Sequence, residues 1–453
     1  MILFKSINPF DQSLIAEHEL MDIAQVDSII ENADAAFLSW KKTSFTIRAD
    51  LFQSLARVLR DSKDYFSQTI SREMGKILSE SRAEIEKCAL TCDFYATHGE
   101  GLMRDELIAS EGKKSFIAFE PLGAVFGIMP WNFPFWQVMR AALPVIMAGN
   151  VFLLKHAPNV SLCSKEIEKA FREAGFPENI FQSLIIDIDL TEKIISGNII
   201  QGVTLTGSEA AGASVAAIAG RHIKKSVLEL GGSDPFIVLE DAELDKAVRV
   251  AVQSRMQNAG QSCIAAKRFI VMQKVGDNFL SRMKGKIDEI IQGDQLNEKT
   301  RMGPMARCDL ADKLEMQQRI SVKSGAEIIT GGSRESCNYQ PTLLRNVKPG
   351  MPAFDEEMFG PIASVIIAAS EDEALRLANT NRYGLGASIW TKDTDRGEKI
   401  GRMINAGSVF INTLVKSDPR LPFGGIKKSG YGRELSSYGM REFANVKAIY
   451  VSE

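Results

Sequence analysis

The chain predicts an α/β fold of parallel sheets with helices on both faces, on three observations. Short apolar strands alternate with amphipathic helices over residues 124–230, and a second block of the same alternation opens at Pro235. A length of 453 residues allows two or three domains. Hydrophobic residues make up 45% and charged residues 25%, enough apolar material for packed cores beneath a soluble surface.

Ahead of the first block, residues 26–61 and 64–97 carry helical spacing, with Ile29, Ala36, Leu51, Leu55 and Leu59 on the apolar side. From residue 102 to 120 the pattern turns β-prone, as in Ser115-Phe116-Ile117-Ala118-Phe119, and reads as a projecting hairpin. The first block reads as strand 124–129, helix 134–147, strand 151–155, and helix 161–174 closed by Gly175. Strands 180–186 and 203–206, helix 208–220 and strand 226–230 follow. The second block reads as strand 235–239, helix 245–258, strand 268–272 and helix 278–291, with later strands at 327–329, 363–367 and 408–411. Residues 443–451 form an extended tail. Sheets of this kind bind ligands in the crevice beyond the strand C-termini.

Composition narrows the function. A net charge of −3 with interspersed signs argues against nucleic-acid partners. The longest apolar run, around residues 141–154, is broken by Pro144, Gly149 and Asn150, so no membrane span is expected. Residues 1–12 lack a basic-then-apolar signal pattern, which points to the cytoplasm. The six cysteines (88, 92, 163, 263, 308 and 337) are scattered, which fits free thiols in a reducing compartment and no metal site. Histidines occur only at 18, 98, 156 and 222, so a general base must come from another residue type; His156, before Pro158, reads as a surface or packing residue.

The chemistry centres on Cys263 in Gly260-Gln261-Ser262-Cys263 and on Glu229 in Leu228-Glu229-Leu230-Gly231-Gly232. A thiol after a small-residue turn is a nucleophile candidate, and a carboxylate ending an apolar strand is a base candidate; together they imply acyl chemistry through a covalent intermediate. Asn132, in Pro130-Trp131-Asn132-Phe133-Pro134 at a strand-to-helix junction, is either an oxyanion donor or a capping residue. Thr206-Gly207-Ser208 ends a strand and opens a helix, where free N–H groups suit a phosphate, although the glycine pattern is not the standard dinucleotide fingerprint. Lys155 at a strand end either reaches a ribose or phosphate or is solvated. The turns at 356–361 and 422–430 read singly as structural loops.

Taken in order, Pro-Trp-Asn-Phe-Pro at 130–134, Thr-Gly-Ser at 206–208, Glu-Leu-Gly-Gly at 229–232, Gly-Gln-Ser-Cys at 260–263, Glu-Met-Phe-Gly-Pro at 357–361 and Pro-Phe-Gly-Gly at 422–425 resemble the aldehyde dehydrogenase superfamily. The resemblance covers nearly the whole chain. It implies a Rossmann-type NAD(P)-binding domain at 1–102 and 122–229, an α/β catalytic domain at 230–428, and an oligomerisation hairpin and tail at 103–121 and 429–453, in a homodimer or homotetramer. It also implies NAD- or NADP-dependent oxidation of an aldehyde to an acid. Cys263 would attack, Asn132 would hold the oxyanion and Glu229 would activate water. The retained glutamate separates the chain from CoA-acylating relatives. Trp131, Lys155, Gly207, Ser208, Leu230, Glu357 and Phe359 map onto cofactor contacts. Pro158 stands where NAD-preferring relatives often carry a glutamate, so NADP use becomes open.

For the substrate, Arg140 lies about two helical turns beyond Asn132. It either grips a substrate carboxylate, as in relatives acting on succinate semialdehyde, or pairs with a neighbouring acid. Ser417 or Lys416, in the loop before Pro422, is a second contact candidate, unless it faces solvent. Gln257 stands where some relatives place another arginine. The resemblance is nearest to bacterial NAD(P)-type succinate-semialdehyde dehydrogenases; glutarate semialdehyde or lactaldehyde is the alternative substrate, and a non-catalytic NAD-binding structural protein is a further reading.

Overall fold

The computed structural model describes residues 3–452. An N-terminal hairpin, β1 (Leu3–Ile7) and β2 (Leu14–Glu19), precedes four helices: α1 (Ile23–Trp40), α2 (Phe45–Asp61), α3 (Lys63–Met74) and α4 (Leu78–Leu102). The sequence reads as two long helical stretches here, and each is divided by a local signal. Ser44 caps α2 by accepting from the Ile47 N–H at 3.3 Å, and Gly75 ends α3 in the left-handed region at φ 79°.

The chain then forms β3 (Glu106–Ile108), β4 (Lys114–Pro121), β5 (Ala124–Met129), α5 (Trp136–Met147), β6 (Val151–His156), α6 (Ser161–Glu173), β7 (Phe181–Ser183), α7 (Thr191–Ser196), β8 (Ile200–Thr206), α8 (Glu209–Arg221) and β9 (Lys225–Glu229). Strands β9-β8-β5-β6-β7 lie side by side and parallel. The order reverses between β5 and β8, so their C-terminal ends diverge and leave a crevice at that switch point. The strand expected over 180–186 is shorter, because beyond Ser183 the Ile185 carbonyl accepts from the Met21 N–H at 2.8 Å instead of extending the ladder.

A second sheet follows the Gly231-Gly232 link. Its elements are β10 (Asp234–Val238), α9 (Leu244–Met256), β11 (Ala266–Met272), α10 (Gly276–Asp288), α11 (Cys308–Lys323), β12 (Glu327–Thr330), the small hairpin β13 (Arg334–Glu335) and β14 (Asn338–Tyr339), β15 (Thr342–Arg345), α12 (Pro352–Asp355), β16 (Ile362–Ala368), α13 (Glu371–Asn379), β17 (Tyr383–Gly384), β18 (Gly386–Trp390), α14 (Thr394–Met403) and β19 (Ser408–Ile411). The strand order β12-β15-β16-β11-β10-β18-β19 has only β12 antiparallel. Apolar cores fill both faces of this sheet, with Ile237, Ile270 and Ile389 on one side and Phe236, Phe269 and Trp390 on the other.

The chain finishes with β20 (Ile426–Lys427), β21 (Gly430–Tyr431), α15 (Ser436–Glu442) and β22 (Ala444–Val451). Strand β21 pairs antiparallel with β9, which brings residues 430 and 431 back to the first sheet. The expected hairpin and tail meet within one chain: β22 pairs with β4 from Ala444↔Pro121 to Val451↔Lys114, and β3 covers the other edge of β4.

One expectation is corrected. Cys308 and Cys337 are joined by a disulfide, with their Cα atoms 4.7 Å apart, so free thiols remain only at Cys88, Cys92, Cys163 and Cys263. The β13–β14 hairpin folds back onto the first residue of α11, a proximity that sequence spacing does not reveal. Among the described residues, no helix is long and apolar enough to cross a membrane.

Candidate active site

The C-terminal ends of β5, β8 and β9 face the segments that lead into β10 and β11. Between them lies a cleft of about 640 Å³ lined by Trp131, Asn132, Gly207, Ser208, Cys263 and Phe359, among others. Leu230 and Glu357 also line it. The site is therefore assembled from the exits of one sheet and the entrances of the next.

Cys263 is presented by a constrained turn. Asn258, Ala259 and Gly260 are left-handed in succession, at φ 54°, 50° and 72°. Such a run is unfavourable for side-chain-bearing residues and must be held by its surroundings. The Asn258 N–H donates to Glu80 Oε2 at 2.9 Å, and Asn258 Nδ2 donates to the Asn132 carbonyl at 2.7 Å. Buried Arg255 donates to the carbonyls of Gly260 and Gly360. A Cβ at Gly260 would lie 2.2 Å from the Gly360 oxygen, so only glycine fits there. On the other side of the turn, Lys267 donates to the carbonyls of Ser262 at 2.9 Å and Cys263 at 2.8 Å.

Asn132 Nδ2 donates to the Gln261 carbonyl at 3.0 Å, which ties the Trp-Asn-Phe segment to the nucleophile's turn. His156 is buried below this segment. Its Nδ1 accepts from the Ala157 N–H at 2.9 Å, which leaves Nε2 to donate to the Pro134 carbonyl at 2.9 Å. Burial holds its imidazole down at about 4, so the ring is a neutral strut, the packing one of its two open readings.

Glu229 ends β9, is buried, and has both carboxylate oxygens without a hydrogen-bond partner among the described residues. Burial, then the neighbouring Glu434, raises its carboxyl well above the ordinary range, against the pull of Arg140 and Arg433. Burial also pushes the Cys263 thiol up to about 11, opposed by Arg140 and Lys267. Gly232 joins the two motifs at close range, since a Cβ there would lie 2.7 Å from the Cys263 carbonyl oxygen.

The donor set beside these groups fits a nicotinamide dinucleotide. Gly207 and Ser208 open α8 onto the cleft, where N-terminal N–H groups suit a pyrophosphate. The Glu357 carboxylate, held by the Gly232 N–H at 3.0 Å and near Lys267 at 3.6 Å, presents acceptors for ribose hydroxyls. Trp131 and Phe359 meet edge to face at 5.8 Å at the cleft wall. Lys155, at the end of β6, is buried without an ion-pair partner among the described residues, and exposed Pro158 opens the turn that follows.

The substrate-side candidates separate. Of the two readings open for Arg140, pairing with an acid is present: its Nε is ion-paired with buried Glu434, its Nη2 donates to Thr206 Oγ1 at 3.3 Å, and its plane lies 4.4 Å from the Phe423 ring. Ser417 is buried, and its Oγ accepts from Lys87 Nζ at 2.7 Å and Trp136 Nε1 at 3.1 Å. Gln257 is exposed at the end of α9. Lys267, Arg255, Glu434 and Lys87 carry no motif signal. The one available hint is polar, as Lys267 and Arg268 interrupt an otherwise apolar strand.

Comparisons with known proteins agree with this geometry. The aldehyde dehydrogenase family model matches residues 3–449. A probable succinate-semialdehyde dehydrogenase [NADP(+)] of Synechocystis sp. is 44% identical over 450 residues, covering 99% of both chains. A succinate semialdehyde dehydrogenase [NAD(P)+] of Escherichia coli is 43% identical over 448 residues, covering 98% of this chain and 97% of its own. The crystal structure of succinic semialdehyde dehydrogenase from Streptococcus pyogenes in complex with NADP+ superposes with a TM-score of 0.97 at 32% identity, over 99% of this chain and 100% of that one. The chain, with its cysteine turn and amide donor at one cleft and a buried glutamate just before that cleft's lining, belongs to the aldehyde dehydrogenase family.

Proposed function

We propose that the protein oxidises succinate semialdehyde to succinate with NADP or NAD. The observation that carries the reading is the convergence of Cys263 and Asn132 on one cleft, with buried Glu229 directly before its lining residues Leu230 and Gly231, in a chain whose relatives carry that activity in their names. Cys263 Sγ attacks the aldehyde carbon, giving a thiohemiacetal whose oxygen is held by the Asn132 amide and the Cys263 N–H. A nicotinamide dinucleotide held by Ser208 and Glu357 would supply the hydride acceptor for oxidation of this adduct to a thioester. Glu229 then takes a proton from water, which attacks the thioester carbonyl and releases the acid while Cys263 regains its proton. An apolar pocket makes Glu229 a stronger base than an exposed carboxylate, because burial disfavours its ionised form.

Trp131, Lys155, Pro158, Gly207, Ser208, Leu230, Glu357 and Phe359 are the cofactor-side residues of this reading. A Lys155 without an ion-pair partner among the described residues, beside Pro158 and with no carboxylate in that turn to repel a 2′-phosphate, favours NADP. We place the substrate carboxylate toward Arg140 and Ser417, with Gln257 at the outer end. Cofactor binding is assigned to residues 1–102 and 122–229 and catalysis to 230–428. The hairpin and tail (103–121 and 429–453) are assigned to assembly of a cytoplasmic homodimer or homotetramer. Leu107, Val446 and Tyr450 are more than half exposed on the small sheet, which leaves apolar surface for a second copy to cover.

Steady-state kinetics with succinate semialdehyde, glutarate semialdehyde, lactaldehyde and butanal, each with NAD and NADP, test the reading. The highest kcat/KM is expected for succinate semialdehyde with NADP; a preference for butanal would overturn the substrate assignment.

A further inference from the structure

The charges beyond the nucleophile do not balance. Arg140 is neutralised by Glu434 through their buried ion pair. Glu84, one turn before Lys87 on α4, is occupied by Lys76 and by the N–H groups of Phe135 and Trp136 at 2.9 Å each. Asp418 is bound to Arg420 at 2.6 Å. Lys87 is left with no carboxylate partner among the described residues. It is only partly exposed, its Nζ lies 4.0 Å from the centre of the Trp136 ring, and its single hydrogen bond is to Ser417 Oγ. An ammonium has three donors, so two point elsewhere.

Ser417 is poised in the same sense. Its oxygen accepts from both Lys87 and Trp136, which occupies both lone pairs and leaves the hydroxyl proton free to donate. Trp136 lies one helical turn before Arg140 on α5, so this cluster neighbours the guanidinium. Arg140 in turn donates to Thr206 Oγ1 at 3.3 Å, and Thr206 lines the cleft together with Cys263, which links the cluster to the nucleophile's cleft.

We propose that Lys87, with the Ser417 hydroxyl, is the ionic anchor for the substrate's terminal carboxylate and so determines specificity for ω-carboxylate aldehydes. This rests on the functional reading above and deepens it by naming the residue that recognises the acid end. Burial and the neighbouring Arg140 hold the Lys87 ammonium down at about 8, so a bound carboxylate would favour its charged form.

The test uses full-length protein and the variants Lys87→Met and Lys87→Arg. It reads the ratio of kcat/KM for succinate semialdehyde to that for butanal, together with calorimetric binding of succinate. In Lys87→Met the ratio is expected to fall by about 30-fold or more, mainly through KM, with loss of succinate binding, while Lys87→Arg retains most of both. Equal losses on both aldehydes, or an unchanged ratio with succinate binding retained, would overturn the assignment of Lys87 while leaving the functional reading intact. A wild-type protein that neither prefers the semialdehyde nor binds succinate would overturn the functional reading, and this anchor with it.

Discussion

Replacing Arg140 by methionine removes one half of a buried ion pair and leaves the other half behind. The Arg140 and Glu434 side chains are only 2% and 4% exposed, so Glu434 would have neither water nor a counter-ion. Breaking such a pair from one side costs about 3–5 kcal/mol, whereas replacing both partners by apolar groups is often close to neutral. Arg140→Met is therefore expected to lose about 3–5 kcal/mol of stability in urea unfolding, and Arg140→Met with Glu434→Met to recover most of it. The loss also has a pH signature. Glu434 is already raised by burial in spite of Arg140, and deleting Arg140 removes its main lowering influence. A carboxyl whose folded pKa exceeds its unfolded value favours the folded state at low pH and loses that contribution as pH rises through the folded value. The deficit of Arg140→Met should therefore be smallest in acid and grow toward alkaline pH. A single variant as stable as wild type at every pH, or a double variant no better than the single, would refute the reasoning.

Three further outcomes follow from the site. Glu229→Gln keeps acylation but removes the base for thioester hydrolysis, so stopped-flow absorbance should show one equivalent of reduced cofactor followed by turnover slowed about 10²–10⁴-fold. Gly260→Ala forces a Cβ to within 2.2 Å of the Gly360 oxygen, and the displaced turn should lower kcat by about 10²-fold with cofactor binding measured by fluorescence retained. Thiol titration of unfolded, unreduced protein should count four thiols rather than six, and reduction should expose the remaining two. By loop closure over a separation of 29 residues, loss of the Cys308–Cys337 link should cost about 3–4 kcal/mol, read as a lowered urea midpoint.

What was legible in the sequence has a common character. Cys263, Glu229 and Asn132 each sit where a strand meets a turn, and glycine or proline beside them marks the bend, so local pattern suffices to find them. The first sheet was legible for the same reason, as strand and helix periods alternate through residues 124–230, whereas β15 and β18 of the second sheet, only 4 and 5 residues long, were not. Arg255, Lys267, Glu434 and Lys87 were not, because each acts on a partner from a distant segment: Glu434 on Arg140, and Lys87 on Ser417. Arg140 illustrates the limit. Its position on α5 was readable, but whether it faces a substrate or an internal acid depends on β21 returning to β9 and carrying Glu434 with it. The disulfide escaped for a similar reason, since only the fold of the β13–β14 hairpin brings Cys337 to the start of α11.

The same charges that set specificity constrain the chemistry. Burial favours the neutral forms of Cys263 and Glu229, because ionising either one places a negative charge in a dry crevice. Arg140 relieves that cost for both, but its own partner Glu434 opposes it at Glu229. The pair therefore moderates the site instead of fully activating it: Arg140 pulls the Glu229 carboxyl down and Glu434 pushes it up, on top of the larger effect of burial. Lys87, which has no carboxylate partner among the described residues, can attract a carboxylate while Arg140 stays committed to Glu434. Recognition of the acid end and tuning of the base are thus divided between two cations, and only one of them is spent inside the protein.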